Sequence, residues 1–224
     1  MGQVLSVNLA VPRPSRAKST GVTGIDKRPT DSAVQVRPPG PKHGGLGSGL
    51  VGDDVFDRAH HGGDEQAVYA YAREDLDRWS TELGRELPNG VFGENLTTSG
   101  VDVTGALVGE RWRIGPDVVL QVTVPRIPCG TFADWMAERG WIKRFTQAAV
   151  PGAYLRIVTP GQIRGGDPIE VVHRPEHNVT IGLTFRALTL APELLPQLLA
   201  ATELPADVRE LAARRIAAPT DRRG

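Results

Sequence analysis

The sequence predicts a mainly β fold with α additions, in which a β-barrel core is followed by a small three-helix extension. Two observations support this prediction. Short alternating or β-branched segments, separated by glycine and proline turns, recur through the first 175 residues. From Val179 onward the pattern changes to three stretches rich in leucine and alanine, and the last two begin at prolines, which suit a first helical position.

Each element is predicted from its local pattern. Strands are expected over 3–11, 34–37, 106–108, 111–114, 118–124, 153–158 and 168–173. Helices are expected over 64–83, whose first residues also suit a strand, over 132–139 with Thr131 as N-cap, and over 141–147. The glycine- and proline-rich stretch 38–52 predicts a long mobile loop, and 90–100 predicts a glycine-punctuated loop.

The extension is predicted as three helices over 180–190, 192–201 and 205–216. The expected organisation is therefore a barrel domain over 1–175, the three-helix extension over 178–218 and a disordered tail over 219–224.

Composition limits the possible partners and location. The chain of 224 residues has 26 basic and 26 acidic side chains, so net charge favours neither a nucleic-acid nor an anionic-membrane partner. Its single cysteine excludes an internal disulfide framework and suits a reducing cytoplasm. No apolar run reaches the length of a membrane span. We expect a cytoplasmic monomer or homodimer without a membrane partner.

Cys129 is the first candidate for chemistry. It lies in the segment VPRIPCG, where Pro125 and Pro128 stiffen the backbone and Arg126 brings a positive charge that favours a thiolate. A thiolate is both a nucleophile and a ligand for soft metals. Residue statistics alone favour a buried structural cysteine, but a stiff loop at a strand end is a common setting for functional residues.

Three further segments are weaker candidates. The glycines of HHGGD expose backbone N–H groups and its histidines can carry protons, although a polar turn explains the pattern equally well. The loop FGENLTTSG offers amide and hydroxyl donors, yet lacks the glycine spacing of a phosphate loop, and composition favours a capped hairpin loop. Lys143, Arg144 and Arg156 can clamp a phosphate, but such residues are usually solvated surface charges.

In chain order, the strings HHGGDEQAVYAYARED, FGENLTTSG, VPRIPCG and PGAYLRI resemble the MOSC domain family, in its YiiM-like subgroup. The resemblance spans residues 4–172, and the helices after Val179 resemble the extension that follows the domain in that subgroup. It implies a MOSC-type β-barrel core and a molybdenum cofactor, a pterin whose dithiolene sulfurs hold the metal. Related proteins reduce N-hydroxylated compounds, including hydroxylaminopurine-type base analogues and amidoximes, to amines.

The resemblance also implies roles for individual residues. Cys129 would ligate molybdenum and tune it. Arg126 would lie near the pterin or its phosphate. The other implied cofactor-binding residues are Lys27, from a weaker match in GIDKRP, and His61, Gly62, Gly63, Asn95, Thr97, Arg144 and Arg156.

Two departures from the family pattern concern the same region. Asp64–Glu65–Gln66 stands where the subgroup often has Pro–Asp and a basic residue. If that basic residue contacts a phosphate in the subgroup, the contact is missing here. The glycine-rich stretch 43–50 is longer than expected and predicts altered substrate access or a weakened cofactor site.

The function implied by the resemblance is an oxidoreductase that removes the oxygen of an N–OH group. The chain has neither a flavin fingerprint nor iron–sulfur ligands, so electrons are expected from a separate reductase or ferredoxin-like partner. One alternative is a sulfur carrier or cofactor-handling module that uses a Cys129 persulfide. Another is a non-catalytic binding protein for a phosphate ligand such as pyridoxal phosphate, with Lys27 as a weak Schiff-base candidate.

Overall fold

The structure of the protein is a computed structural model that describes residues 2–15, 21–58 and 60–217. Within these residues the strands are β1 (Gly2–Ala10), β2 (Arg13–Pro14), β3 (Val22–Thr23), β4 (Lys27–Thr30), β5 (Val34–Val36), β6 (Val68–Ala72), β7 (Leu96–Ser99), β8 (Arg111–Ile114), β9 (Val118–Pro125), β10 (Ala153–Thr159), β11 (Gly161–Ile163) and β12 (Pro168–His173). The α-helices are α1 (Arg73–Leu83), α2 (Gly130–Met136), α3 (Trp141–Ala148), α4 (Ile181–Thr189) and α5 (Ala206–Ala217). Asp64–Gln66 and Pro192–Ala200 form 3₁₀ helices.

Seven strands close into a barrel in the order β12, β8, β9, β10, β6, β7, β1, with β1 pairing back onto β12. All neighbours are antiparallel except β6 and β7. The strand β4 pairs with β1 outside this ring, and its first residue is Lys27. The predicted mainly β fold with a barrel core and α additions is confirmed.

Of the two alternatives left open for the first residues of 64–83, the strand is the observed one, so the helix covers only the second half. Val68, Ala70 and Ala72 face the barrel core, whereas Tyr69 and Tyr71 face an aromatic cluster outside the barrel. Small and aromatic residues therefore alternate with the period of two that a strand requires, and both faces of β6 are buried. Only Arg73–Leu83 is α-helical, ending at Gly84 in the left-handed conformation.

Three other predictions need correction. Residues 106–108 form a turn with one isolated bridge, between Leu107 and Thr180, and not a strand. The predicted loop 90–100 contains the strand β7. Thr131 is not an N-cap, because Cys129 in extended conformation caps α2 and accepts the first helical hydrogen bond from the Ala133 N–H at 3.0 Å.

The glycine-rich segment 38–52, predicted as mobile, is partly packed against the barrel core. Leu50 is buried and bridges to Val36, while the Gly49 N–H donates to the Ala67 carbonyl at 2.8 Å. A Cβ added at Gly49 would lie 2.6 Å from the Ile157 side chain. The glycines therefore permit close backbone packing in this segment.

The C-terminal extension follows the predicted three-helix pattern with one change. The helices α4 and α5 are confirmed, and Thr180 caps α4 by accepting from the Leu183 N–H at 3.0 Å. The middle segment is a 3₁₀ helix with Pro196 inside it. The division of the chain into domains over 1–175 and 178–218 stays a prediction, and the predicted tail 219–224 lies outside the described residues.

Every helix in the described part of the chain is too short or too polar to cross a membrane.

Candidate active site

A cleft of about 270 Å³ opens beside the barrel where three segments meet. Its walls come from residues 22–27, from residues 54–66 and from residues 125–131 at the end of β9. Four residues that the sequence analysis singled out line this cleft: Lys27, His61, Arg126 and Cys129. The fold thus brings together residues as far apart in sequence as Lys27 and Cys129.

Cys129 is partly exposed to the cleft and packs against the aromatic cluster on its other side. The strand β9 ends at Pro125, which cannot donate a ladder hydrogen bond, and α2 begins only at Gly130. The thiol is therefore held on the short extended connection between strand and helix. This matches the strand-end loop predicted from VPRIPCG.

Arg126 is a buried cation beneath the cleft. Its Cζ atom lies 4.0 Å from the centroid of the Phe132 ring and 5.1 Å from that of Tyr69, and its Nη1 donates to the Phe92 carbonyl. Burial would lower the pKa of Arg126, but Tyr69, Tyr154 and Cys129 outweigh burial and raise it. The site therefore keeps a permanent positive charge next to the thiol.

The Asp53 carboxylate fixes Lys27 at the cleft wall. Its Oδ1 lies 2.5 Å from Lys27 Nζ, and its Oδ2 accepts from Ser48 Oγ at 2.7 Å and Asn95 Nδ2 at 2.9 Å. Burial raises the pKa of Asp53, but Lys27 and these hydrogen bonds outweigh it and lower the pKa below the ordinary value. Asn95, predicted at the cofactor, therefore lies behind the wall as a partner of Asp53.

Thr97, the other predicted residue from the FGENL–T loop, is fully buried. Its hydroxyl donates to Glu94 Oε1 at 2.8 Å and accepts from Asn8 Nδ2 at 3.1 Å. Glu94 also accepts from the N–H groups of Gly90 and Phe92, although burial raises its pKa. This network closes the turn that carries Phe92 and hence supports Arg126 from below.

The remaining predicted residues lie away from the cleft. Gly62, Gly63 and Arg156 line a second cleft of about 360 Å³. Arg156 Nη2 binds Glu65 Oε1 at 2.7 Å, and burial raises the pKa of Glu65 despite this pair. Arg144 Nη2 binds Glu82 Oε1 at 2.7 Å on the outer helices. Gln66 lines both clefts.

Several residues of the cleft were not found by sequence reasoning. Tyr154 lines it from β10 and was quoted only as part of PGAYLRI; burial raises its pKa. Asp53, which does not line the cleft but fixes Lys27 there, follows the glycine-rich segment without any motif of its own. The pair Asp57 and His60 also lines the cleft, with Asp57 Oδ1 and His60 Nδ1 at 2.9 Å. The double histidine was the one signal that pointed there.

The donor set constrains the metal chemistry of the site. Among residues 2–15, 21–58 and 60–217, no group of three or more His, Cys, Asp or Glu side chains is placed to hold a metal ion. A metal that reaches Cys129 must therefore bring most of its ligands with it. A metal held by the dithiolene of a pterin satisfies this condition, and the cations Lys27 and Arg126 suit its phosphate. The residues present fit the cofactor that the sequence resemblance implies.

Comparison with known proteins identifies the family. The MOSC domain family matches residues 57–170, which include the cleft-lining residues from Asp57 onward. The protein YflK of Bacillus subtilis, described as uncharacterized, is 31% identical over 184 residues, covering 82% of this chain and 79% of YflK. A protein of Gibberella moniliformis named as a reductase is 29% identical over 162 residues, covering 70% of this chain but only 28% of that protein.

A solved structure supports the same assignment. The crystal structure of YiiM from Geobacillus stearothermophilus superimposes with a TM-score of 0.76 at 25% identity, covering 97% of this chain and 100% of that one. The likeness therefore extends through the barrel and the C-terminal helices. The chain belongs to the MOSC domain family and is a YiiM-like member of it.

Proposed function

We propose that the protein is a molybdenum-cofactor-dependent oxidoreductase that reduces N-hydroxylated compounds, such as hydroxylaminopurine-type base analogues and amidoximes, to amines. The observation that carries the proposal is a partly exposed thiol, Cys129, on a cleft wall next to the buried cation Arg126. MOSC domains are associated with molybdenum-cofactor binding, and one relative is named as a reductase.

The chain's own residues would divide the work of binding. Cys129 supplies the single thiolate ligand that the metal takes from the protein. Arg126 and Lys27 bind the phosphate and pterin end, and both are held in place by buried partners rather than by solvent. His61 lines the same cleft. Asn95 and Thr97 act indirectly, by fixing Asp53 and Glu94.

When bound, the cofactor supplies the two electrons that convert an N–OH group and two protons into an amine and water. The protein must orient the N–OH group and provide the protons. Because burial raises the pKa of Tyr154, its hydroxyl stays protonated at neutral pH and can donate a hydrogen bond in the cleft.

The electrons would come from a separate reductase or ferredoxin-like partner, because the chain carries no second redox group of the flavin or iron–sulfur type in its sequence motifs. A lone cysteine fits a reducing compartment, and we place the protein in the cytoplasm.

A second candidate function uses the same thiol. A partly exposed Cys129 beside Arg126 also suits a persulfide carrier that passes sulfur to a cofactor. A pyridoxal phosphate protein is disfavoured, since Lys27 Nζ is 2.5 Å from Asp53 and only 8% of the Lys27 side chain is exposed.

The proposal is tested by replacing the thiol with a hydroxyl of similar size in Cys129→Ser. Purified from a host that makes the cofactor, the wild-type protein should contain molybdenum and reduce N-hydroxylaminopurine with a chemical electron donor. Cys129→Ser should lose most of both, since a hydroxyl is a poor soft-metal ligand. Thr202→Ser, at an exposed position that lines neither cleft, is the control.

Two results would contradict the reductase. Full activity with normal molybdenum content in Cys129→Ser removes the thiol from the mechanism. Protein-bound persulfide on Cys129, found by mass spectrometry with no cofactor retained and no reductase activity, favours the sulfur carrier instead.

A further inference from the structure

The cleft contains a histidine–carboxylate pair to which the sequence resemblance assigns no role in cofactor binding. Asp57 and His60 both line it, and His60 Nδ1 lies 2.9 Å from Asp57 Oδ1. The backbone turn also positions the pair: the Asp57 carbonyl accepts hydrogen bonds from the N–H groups of His60 at 3.3 Å and His61 at 3.0 Å. Backbone and side chain of Asp57 therefore both hold the segment that carries the imidazole.

The two members of the pair differ in solvent exposure, so only one of them exchanges protons readily with bulk water. The Asp57 side chain is 14% exposed, whereas that of His60 is 76% exposed. The carboxylate is thus sheltered, and the imidazole reaches bulk water at the mouth of the cleft. A group in this position can take a proton from solvent and present it to a ligand bound in the cleft.

Hydrogen-bond chemistry fixes which ring nitrogen is free. A carboxylate only accepts hydrogen bonds, so Nδ1 of His60 must carry the hydrogen that points at Asp57 Oδ1. In the neutral ring Nε2 then holds a lone pair, which can bind a proton and release it again. Histidine is the side chain that exchanges protons most readily near neutral pH.

We propose that His60 is the proton-delivering residue of this cleft and that Asp57 is its positioning residue. This inference rests on the proposed function, because reduction of an N–OH group to an amine and water consumes two protons. His60 supplies one of them through Nε2, becomes the neutral Nδ1–H ring, and is reprotonated by solvent. Neither residue is needed to bind the cofactor.

Other charged or titratable groups share the cleft and its rim, so the pH dependence has to be separated from theirs. These groups are Lys27, Asp54, Arg58, His61, Arg126, Cys129 and Tyr154. Arg58 pairs with Asp54 at 3.5 Å, and Lys27 pairs with Asp53. A single substitution at His60 leaves all of them in place.

The first experiment follows activity in the cofactor-loaded protein. His60→Ala should lower kcat about 10-fold or more near neutral pH; the loss can be smaller than the roughly 100-fold that is usual for general acid catalysis, because solvent can partly substitute. Added imidazole should restore much of the loss, and molybdenum content should stay at the wild-type level. His173→Ala, which removes an exposed histidine of β12 outside the cleft, is the matched control and should behave as wild type.

The second experiment needs no cofactor. Imidazole ¹⁵N chemical shifts of the metal-free protein should show the Nδ1–H form of neutral His60 in the wild type, and the commoner Nε2–H form in Asp57→Asn. In the loaded protein Asp57→Asn should lower kcat by a few fold and leave KM unchanged.

The outcomes separate this inference from the proposed function. If the loaded wild type reduces the substrate and His60→Ala matches it across the pH range, the proton role is wrong and the reductase stands. Loss of activity that imidazole does not restore and that accompanies loss of molybdenum also overturns it, because His60 would then serve cofactor binding. A loaded wild type without reductase activity overturns both.

Discussion

Asp53 fixes Lys27 in the cleft wall through a buried network of hydrogen bonds. Its carboxylate is only 1% exposed and forms an ion pair with Lys27. It also accepts hydrogen bonds from Ser48, from Asn95 and, at 2.8 Å, from the Ala10 N–H. Such a carboxylate joins three parts of the chain that are distant in sequence. Removing its charge leaves the buried Lys27 ammonium without a counter-ion, which is the costly way to break a buried pair.

Asp53→Asn should therefore lower the free energy of unfolding by about 3–5 kcal/mol. Urea denaturation followed by tryptophan fluorescence measures the change. Asp54→Asn is a close control, since the neighbouring carboxylate is half exposed and binds Arg58 at 3.5 Å; it should change stability by less than about 1 kcal/mol. Equal losses of stability in the two variants would show that the buried Asp53–Lys27 pair matters no more than the exposed Asp54–Arg58 pair.

The same residue predicts a pH dependence. The pKa of Asp53 is lower in the folded protein than its ordinary value of 3.8, so the folded state holds this proton less tightly than the unfolded state. Its stabilisation is complete above the unfolded value and is lost as pH falls through the folded value. The stability difference between wild type and Asp53→Asn should thus shrink in acid. A difference that is constant down to pH 2 would contradict the assignment.

At the scale of elements, the HHGG turn is built to approach another backbone closely. Gly62 has φ +85°, and a Cβ there would lie 2.7 Å from the Gly47 carbonyl oxygen. The Gly63 N–H donates to that same carbonyl at 3.0 Å. The turn and the glycine-rich segment are therefore two halves of one packing contact. Gly62 and Gly63, which the family resemblance predicts at the cofactor, therefore also have a structural role in this contact.

Gly62→Ala and Gly44→Ala form a matched pair that isolates this contact. Gly44 has φ +84° but nothing within 4 Å of an added Cβ. In both variants the left-handed conformation should lower the free energy of unfolding by about 1–2 kcal/mol. In Gly62→Ala the clash should lower it by about 1–3 kcal/mol more. Chemical denaturation of both proteins checks this. Indistinguishable stabilities would mean that the Gly47 backbone moves aside without cost.

Sequence periodicity predicted some strands at or near their observed bounds and missed others, for different local reasons. The strand β8 alternates exposed and buried residues and was predicted at its observed bounds, 111–114. The strand β6 is buried on both faces and runs directly into α1. Its AVYAYA string therefore has no polar alternation, and it was included in the predicted helix. The strand β4, which carries Lys27, has a proline and two charged residues and gave no strand signal at all.

The candidate site shows the same limit on a larger scale. Cys129, Arg126, Lys27 and His61 were found from motifs, but the motifs could not tell a cleft-lining residue from one behind the wall. Asn95 and Thr97 of the FGENL–T loop do not line the cleft and are linked to it only through Asp53 and Glu94. Which side of a loop faces a cleft is set by long-range pairing, and a single sequence does not contain that pairing explicitly.

In the molecule as a whole, the C-terminal helices and the barrel have a common core. Ile181, Leu195 and Ala212 belong to the same buried cluster as the barrel residues, and Phe185 of α4 joins the aromatic cluster under the site. The Phe185 and Phe145 rings are 6.4 Å apart and nearly perpendicular. A boundary at residues 175–178 is visible in the sequence pattern, yet apolar side chains on both sides of it are buried together. We expect the extension and the barrel to unfold as one unit.

Phe185→Ala tests this unity. The side chain is fully buried, so its removal should cost about 3–5 kcal/mol, through lost burial and the cavity left behind. Leu199→Ala, which trims a 49% exposed side chain in the Pro192–Ala200 helix, should cost far less. Far-UV and near-UV circular dichroism should give one coincident denaturation curve for wild type and for each variant, with the midpoint lowered mainly in Phe185→Ala. An early far-UV transition that leaves the near-UV signal of the barrel intact would show instead that the extension is a separate domain.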